Sequence, residues 1–470
     1  MKPVKITIVG AGSASFGLNA LATLLREPSL RGSTLALVDQ NVRSLALVHR
    51  LAERMNEQWD AGLTIESHTD RRVLLADADF VVCAIEVGPR EELWRRDWEL
   101  TLRHGMRQPY AENGGPGGFA HTARNIPHVL DIARDMERLC PKALFVNVSN
   151  PLPRLCRAVA KYTSITPVGL CHQIGRGYSV AGILLADLVG VEVPSVMLDP
   201  DAPRSRPYWD IAHAFQAKVA AVIDIKAAGL NHFTWMLDVR DCRSGEDLYP
   251  ELRARFLDFD PRYEPLTRDM LRLTGYLPVP GDTHLSEYLS YTHNPATKPW
   301  ERYNLHLYDW DRNAQGREDQ WALIARLGAE GGPELAELRQ IQSEGIYEVI
   351  HGIAHNANLY RVSINVANDG AIANLPDEAI VETPAVISGM GVLPLRMGAL
   401  PPLVSELCRR EAAHVEMVVD AAVQGSRDLA LQALALDPLV DDLDMARAIL
   451  DDYLSTYQEM LPQFHGLWHR

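Results

Sequence analysis

Three groups of residues in this chain have the type and spacing to do chemistry. The first is Ile6-Thr7-Ile8-Val9-Gly10-Ala11-Gly12-Ser13-Ala14-Ser15-Phe16-Gly17, an apolar strand running through a glycine turn into a helix start. Gly10 permits the tight turn, and Gly12, followed by Ser13, lets the backbone approach a pyrophosphate resting on the helix N-terminus. Ser15 stands where a GxGxxG fingerprint has its third glycine. A second strand ends at Asp39, where a carboxylate accepts hydrogen bonds from the adenosine ribose hydroxyls and disfavours a 2′-phosphate. Strand, turn, helix and acid together point to NAD; the competing reading is a glycine turn in an α/β domain that binds no dinucleotide. A dinucleotide domain fixes a cofactor but no reaction, and simple dehydrogenation is the default.

The other groups are ambiguous taken alone. Cys171-His172 follows a short strand and His232 lies far along the chain, and unaided both Cys171 and His232 read as core residues. Asp282, after Pro280-Gly281, reads as a turn aspartate. His351 and His355 share a helix face at i,i+4, but no HExxH surrounds them and no third ligand is evident, so they read as a structural or surface pair.

The elements that must position these groups follow from the pattern of apolar residues. Val4–Val9, Thr34–Val38, Phe80–Ile85, Ala143–Val148 and Pro167–Leu170 are near-continuously apolar, as expected of strands buried on both faces. Amphipathic stretches such as Ile126–Leu139 lie between them, so the first part is expected to be a doubly wound parallel α/β sheet of the Rossmann type. After about residue 190 the pattern changes to long helical segments, aromatic-rich stretches and loops rich in Pro and Gly. The expected division is a dinucleotide-binding domain over 1–190 and an α+β catalytic and oligomerisation domain over 191–470.

Composition narrows the class. The chain has 470 residues and a formal net charge of −15, with 47% apolar and 23% charged residues, which is ordinary for a globular protein. An acidic surface repels phosphate backbones and anionic lipid, so neither nucleic acid nor a membrane surface is an expected partner. No apolar stretch is long enough to span a bilayer. The N-terminus enters a strand pattern at once, with no room for a signal peptide, and the six cysteines are scattered without a CxxC pair. A cytoplasmic enzyme is the expectation.

Four further segments make the reading more specific. They are Gly114-Gly115-Pro116-Gly117-Gly118 followed by Thr122-Ala123-Arg124-Asn125-Ile126-Pro127; Asn147-Val148-Ser149-Asn150-Pro151; Gly169-Leu170-Cys171-His172; and Ala228-Gly229-Leu230-Asn231-His232-Phe233. With the N-terminal glycine turn, and with Asn368-Asp369-Gly370, Asn374-Leu375-Pro376 and Gly398-Ala399-Leu400-Pro401 further on, the chain resembles the NAD- and manganese-dependent family 4 glycoside hydrolases over nearly its whole length. The resemblance implies a lactate-dehydrogenase-like architecture, a small glycoside as substrate, and a homodimer or homotetramer.

It also implies a mechanism other than acid–base hydrolysis between two carboxylates. NAD takes a hydride from C3 of the sugar, a base removes the acidified C2 proton, the aglycone leaves from C1, water adds and the hydride returns. A divalent ion, Mn2+ or another, stabilises the enediolate. By motif match the metal ligands are Cys171 and His232, and the C2 base is Asp282, within Gly275-Tyr276-Leu277-Pro278-Val279-Pro280-Gly281-Asp282-Thr283-His284. Asn150 and His284 are the implied sugar contacts, and His172 assists the leaving oxygen. Cys-His at this place marks branches that act on unphosphorylated α-glycosides or α-uronides. Gln173, however, matches no single sugar, and the Cys171–His232 interval is long. It contains Pro203-Arg204-Ser205-Arg206-Pro207-Tyr208-Trp209, which reads either as a solvated loop or as a lid or aglycone wall. Two other functions compete, a conventional NAD-dependent dehydrogenase of a small hydroxy compound and a non-catalytic NAD sensor; both leave Cys171 and His232 unexplained.

Overall fold

The computed structural model describes residues 3–199, 206–340 and 345–466. Eleven strands form one sheet: β1 (Lys5–Val9), β2 (Thr34–Val38), β3 (Thr64–His68), β4 (Phe80–Cys83), β5 (Leu144–Asn147), β6 (Pro167–Gly169), β7 (Ile223–Leu230), β8 (Phe233–Asp241), β9 (Leu359–Ala367), β10 (Ile380–Ser388) and β11 (Gly391–Pro394). Their order is β3-β2-β1-β4-β5-β6-β9-β10-β7-β8, with β11 pairing β10. The first six are parallel to their neighbours. From the β6–β9 junction, at Gly169 opposite Asn365, the remaining pairs are antiparallel. The sheet therefore continues across residue 190 without a break.

The apolar strands form where expected, with ends that differ by one or two residues. Phe80–Ile85 stops at Cys83 in the ladder; beyond it the Ile85 carbonyl accepts from the Ser149 hydroxyl at 2.7 Å instead of a strand neighbour. β3 has no counterpart among the expected strands. Its Thr-Ile-Glu-Ser-His sequence lacks an apolar run because it is an edge strand with both faces partly open. The expected helix over Ile126–Leu139 begins eleven residues earlier, at Gly115, and takes the glycine-rich segment into its first turn.

Packing ties the two halves of the chain together. On one sheet face Val9, Val81, Phe119, Ile126, Phe145 and Leu155 share a core with Val415, Val418, Ile449 and Tyr453. On the other, Ile6, Ile8, Leu21, Leu35 and Val146 pack with Ile324, Leu327, Val349 and Ile350. Buried apolar area of this kind stabilises by about 25 cal/mol per Å². A buried ion pair reinforces the first core: Arg124 donates to both oxygens of Asp97, at 2.9 and 2.6 Å, and Tyr457 donates to the same carboxylate at 2.6 Å. Both the β1 turn and the end of β6 thus sit on a rigid support, on the carboxyl edge of the sheet where open α/β folds bind ligands. No helix among the described residues is long and apolar enough to cross a membrane.

Candidate functional site

At the switch point between β1 and β4 the chain forms a cradle. The Gly10 and Ala11 amides both donate to the Val38 carbonyl, at 2.9 and 3.0 Å. Gly10 has φ +90°, and a Cβ there would lie 2.5 Å from the Ala84 carbonyl oxygen, so only glycine fits. Asp39 folds back over the turn: one oxygen accepts from the Gly12 amide and the other from the Asn41 amide, both at 2.8 Å. A Cβ on Gly12 would meet the Asp39 carboxylate carbon at 2.7 Å. Ser13 leads directly into the helix Ala14–Leu25, which carries Ser15 in its first turn. Glycine turn, helix N-terminus and strand-end carboxylate therefore coincide in space, a set that could hold a dinucleotide.

The second neighbourhood is built by β6 and the β7–β8 hairpin. Leu230 pairs with Phe233, so Asn231 and His232 are the two turn residues. His232 adopts φ +60°, a left-handed conformation that is uncommon for a residue with a Cβ and points to a constraint on its side chain. The turn is anchored through Asn231, whose amide donates at 2.6 Å to the buried Glu382, which also accepts from the Ser363 hydroxyl at 2.5 Å. So held, the His232 imidazole reaches Cys171, with Nε2 3.5 Å from Sγ. Cys171 lies two residues past β6, partly buried, and His172 beside it is exposed.

Around this pair stands a shell of acids and amides. Glu112 Oε1 accepts from Arg90 and, at 3.3 Å, from Asn150 Nδ2. Glu287, fully buried, receives the amides of Glu112, Asn113 and Gly114 on one oxygen at 2.7, 2.8 and 3.1 Å, and His284 Nδ1 lies 3.1 Å from the other. The His284 ring lies 4.2 Å from that of His232, and ligand atoms of Glu112, His232 and His284 fall within 4.8 Å of one another. Burial holds the His232 pKa well below the ordinary imidazole value, with repulsion from His284 and His172 adding to it. For His284 burial pulls the same way, but the hydrogen bond and charge of Glu287, with Glu112 behind them, outweigh it and raise the pKa.

The donor set suits a cation. A neutral His232, a thiol and an adjacent carboxylate are metal-binding chemistry, though this mixture does not select one metal over another. Asn113 adds an observation: its Nδ2 lies 2.8 Å from His232 Nδ1, while its buried Oδ1 has no partner. The same Nδ2 donates to Glu112 Oε2 at 3.2 Å, so Asn113 ties the His232 imidazole to the acidic shell.

The structure thus brings Cys171, His232, His284 and Asn150 into one neighbourhood. Asp282 is placed differently. Its carboxylate is buried and accepts from the Leu266 and Thr267 amides, both at 2.7 Å, capping the helix Pro265–Thr274, while its own amide donates to Glu264 at 2.6 Å. Burial raises its pKa to about 6, against the pull of those two amides and of Arg176. His351 and His355 sit at the far end of another helix, with rings 4.6 Å apart and Tyr347 hydrogen-bonded to His351 at 3.2 Å, a structural pair as expected. Residues 203–205 of the basic aromatic segment lie outside the described residues, and the rest of it opens the helix Arg206–Ala220.

Sequence reasoning missed Glu112, Asn113 and Glu287. The signal was available for the first two, which immediately precede the glycine-rich segment, and for Glu287, three residues after His284 on the same helical turn.

Comparison with known proteins gives the family and the fold. The model described as "Family 4 glycosyl hydrolase" matches residues 5–185, and "Family 4 glycosyl hydrolase C-terminal domain" matches residues 227–440. The chain is 29% identical to an alpha-glucosidase of Erwinia rhapontici, covering 97% of this chain and 98% of that protein. It is likewise 29% identical to an alpha-galactosidase of Bacillus subtilis (strain 168), covering 98% of this chain and 99% of the relative. Its fold matches that of a 6-phospho-alpha-glucosidase from gut microorganisms, solved in complex with NAD and Mn2+, with a TM-score of 0.79 at 22% identity over 98% of this chain and 100% of that one. With family models matching both halves and relatives aligned end to end, the chain belongs to family 4 of the glycosyl hydrolases.

Proposed function

We propose that this protein hydrolyses unphosphorylated α-glycosides or α-uronides by oxidation, elimination and addition, using NAD and a divalent ion such as Mn2+. The observation that carries the reading is the 3.5 Å approach of Cys171 Sγ to His232 Nε2, on the same sheet edge as the Gly10–Gly12 turn and Asp39. When bound beside the Gly10–Gly12 turn and Asp39, NAD would supply reversible hydride transfer, and a divalent ion held by Cys171 and His232 would supply Lewis acidity.

The chain's own residues do the rest. The Gly10, Ala11 and Gly12 amides are engaged by Val38 and Asp39, so the turn serves by bringing the backbone close. The first turn of the following helix would present its N–H groups to the pyrophosphate, and Asp39 would accept from the ribose hydroxyls. Cys171 and His232 hold the ion, with His232 kept neutral by burial. Glu112, oriented by Arg90 and Asn150, accepts from a sugar hydroxyl, and His284 donates to another. By the motif match Asp282 would take the C2 proton, a role that its carboxylate, held by the Leu266 and Thr267 amides, does not itself support and that Asp282→Asn tests. His172, exposed beside Cys171, gives a proton to the leaving oxygen.

The direct test is turnover in D2O. Solvent deuterium is expected at C2 of the released sugar, because elimination breaks that C–H bond, whereas direct hydrolysis at C1 never touches it. Product without deuterium at C2 would overturn the mechanism. Following NADH in the same assay separates the dehydrogenase reading: aglycone release without accumulating NADH supports glycoside hydrolysis, and steady NADH growth supports dehydrogenation. The cofactor assignment has its own test. Gly12→Ala puts a methyl 2.7 Å from the Asp39 carboxylate and is expected to weaken NAD binding by about tenfold or more, roughly 1.4 kcal/mol, in calorimetric titration. Unchanged affinity would place the dinucleotide elsewhere.

A further inference from the structure

The helix Arg206–Ala220 is fixed to the helix Ile174–Val189, which starts just after Cys171-His172-Gln173. Tyr208, Ala212, Phe215 and Val219 recur at helical spacing and are all buried. Gly182 makes the close approach possible, since a Cβ there would lie 2.4 Å from Val219 Cγ2 and 2.7 Å from Phe215 Cζ. Near the site, Gln216 Nε2 donates to the Ser179 hydroxyl at 3.0 Å. The inner face of this helix is therefore locked.

Its other side carries rings toward the site. Trp209 is 45% exposed, braced edge-on by the buried Tyr208 with ring centres 5.2 Å apart. His213, one helical turn later, lies 6.3 Å from the Trp209 ring at an interplanar angle of 30°. The His213 ring lies 6.0 Å from that of His172. A row of three rings thus leads from open surface to the residue adjoining Cys171. An indole left nearly half in water gains when a flat apolar face covers it, and sugar C–H faces and aryl rings both offer one.

We propose that Trp209 and His213 form the wall against which the leaving-group ring of the glycoside stacks. The assignment rests on the glycosidase reading above, with His172 at the leaving oxygen, because whatever departs past His172 meets this row next. Both a second sugar ring and an aryl group supply the required face, while a methyl aglycone supplies none.

The test compares methyl, p-nitrophenyl and disaccharide α-glycosides as substrates of wild type, Trp209→Ala and Trp209→Phe. Trp209→Ala is expected to lower kcat/KM for the ring-bearing substrates relative to the methyl glycoside by about tenfold, through KM, with Trp209→Phe recovering part of the loss. A loss for p-nitrophenyl alone identifies an aryl-selective wall, and a loss for the disaccharide identifies a sugar subsite. Equal effects on all three substrates would overturn the proposal, as would a change of oligomeric state in gel filtration, which would make the indole a subunit contact. Saturation-transfer NMR with p-nitrophenyl α-glucoside reads the wall without turnover. Transfer to the aryl protons that is lost in Trp209→Ala supports it even if wild type cleaves nothing, an outcome that would sink the glycosidase reading alone. Transfer retained in the variant refutes the wall.

Discussion

Replacing Cys171 by serine is expected to cut glycoside turnover by about a thousandfold or more, roughly 4 kcal/mol in barrier height, while leaving NAD affinity within about twofold. The two readouts separate because the two neighbourhoods are separate. Cys171 belongs to the end of β6 and faces the β7–β8 hairpin, whereas the Gly10–Gly12 turn and Asp39 are held by β1, β2 and the Asn41 amide. A serine hydroxyl stays protonated where a metal-bound cysteine ionises, so the mutant would lose the anionic ligand that completes the site with His232. Cobalt offers a readout independent of turnover. Wild type loaded with Co2+ is expected to show a thiolate-to-metal charge-transfer band that Cys171→Ser lacks. Near-normal activity of the mutant with added manganese would remove Cys171 from the metal site, and a band retained in the mutant would point to another thiol. Among the other cysteines Cys83, Cys156 and Cys408 are buried, with thiol pKa values pushed up chiefly by burial, so none of these three is a ready substitute.

What could be read from the amino-acid order divides along physical lines. The strands β1, β2, β4, β5 and β6 were legible because strands covered on both faces must be apolar throughout, and the Gly10–Gly12 turn because its backbone leaves no room for a side chain. β3 was not, since an edge strand with exposed faces carries no apolar constraint. The Glu287 carboxylate receives amides about 175 residues away in sequence, a pairing that follows only from how the helix Gly115–Leu139 and the segment after Asp282 meet in space. Neither propensity nor periodicity encodes that. Cys171 and His232 illustrate the middle case: each alone looks like core, and only their motif context singled them out. The left-handed backbone of His232 supplies a physical reason why a histidine at a hairpin tip is held there for its side chain.

Asp282 is where the reading from sequence and the geometry pull hardest against each other, and Asp282→Asn is the variant that separates them. As a C2 base, the carboxylate must be ionised. Its pKa of about 6 stands above the ordinary value of 3.8, chiefly through burial, so the folded protein binds more protons here than the unfolded chain between those two values. Stability from this group is therefore fully present below about 4 and declines as pH rises through about 6, while base-dependent cleavage rises over the same limb. Wild type is expected to gain activity and lose stability across that window, and the mutant to show neither slope. The mutant also loses a cap. An amide can accept from one of the two backbone N–H groups of Leu266 and Thr267 but sets its own N–H against the other, at a cost of about 1–3 kcal/mol, seen as a lower thermal midpoint. Stopped-flow mixing with substrate then decides the chemistry. If Asp282 is the base, oxidation at C3 still precedes the blocked step, and a single-turnover burst of bound NADH forms without aglycone release. Release at the wild-type rate would move the role to another group, with Tyr276 and Tyr288 the next candidates to replace. Loss of both signals together with the lowered midpoint would mean that Asp282 serves by fixing the helix Pro265–Thr274, and that its carboxylate never meets the sugar.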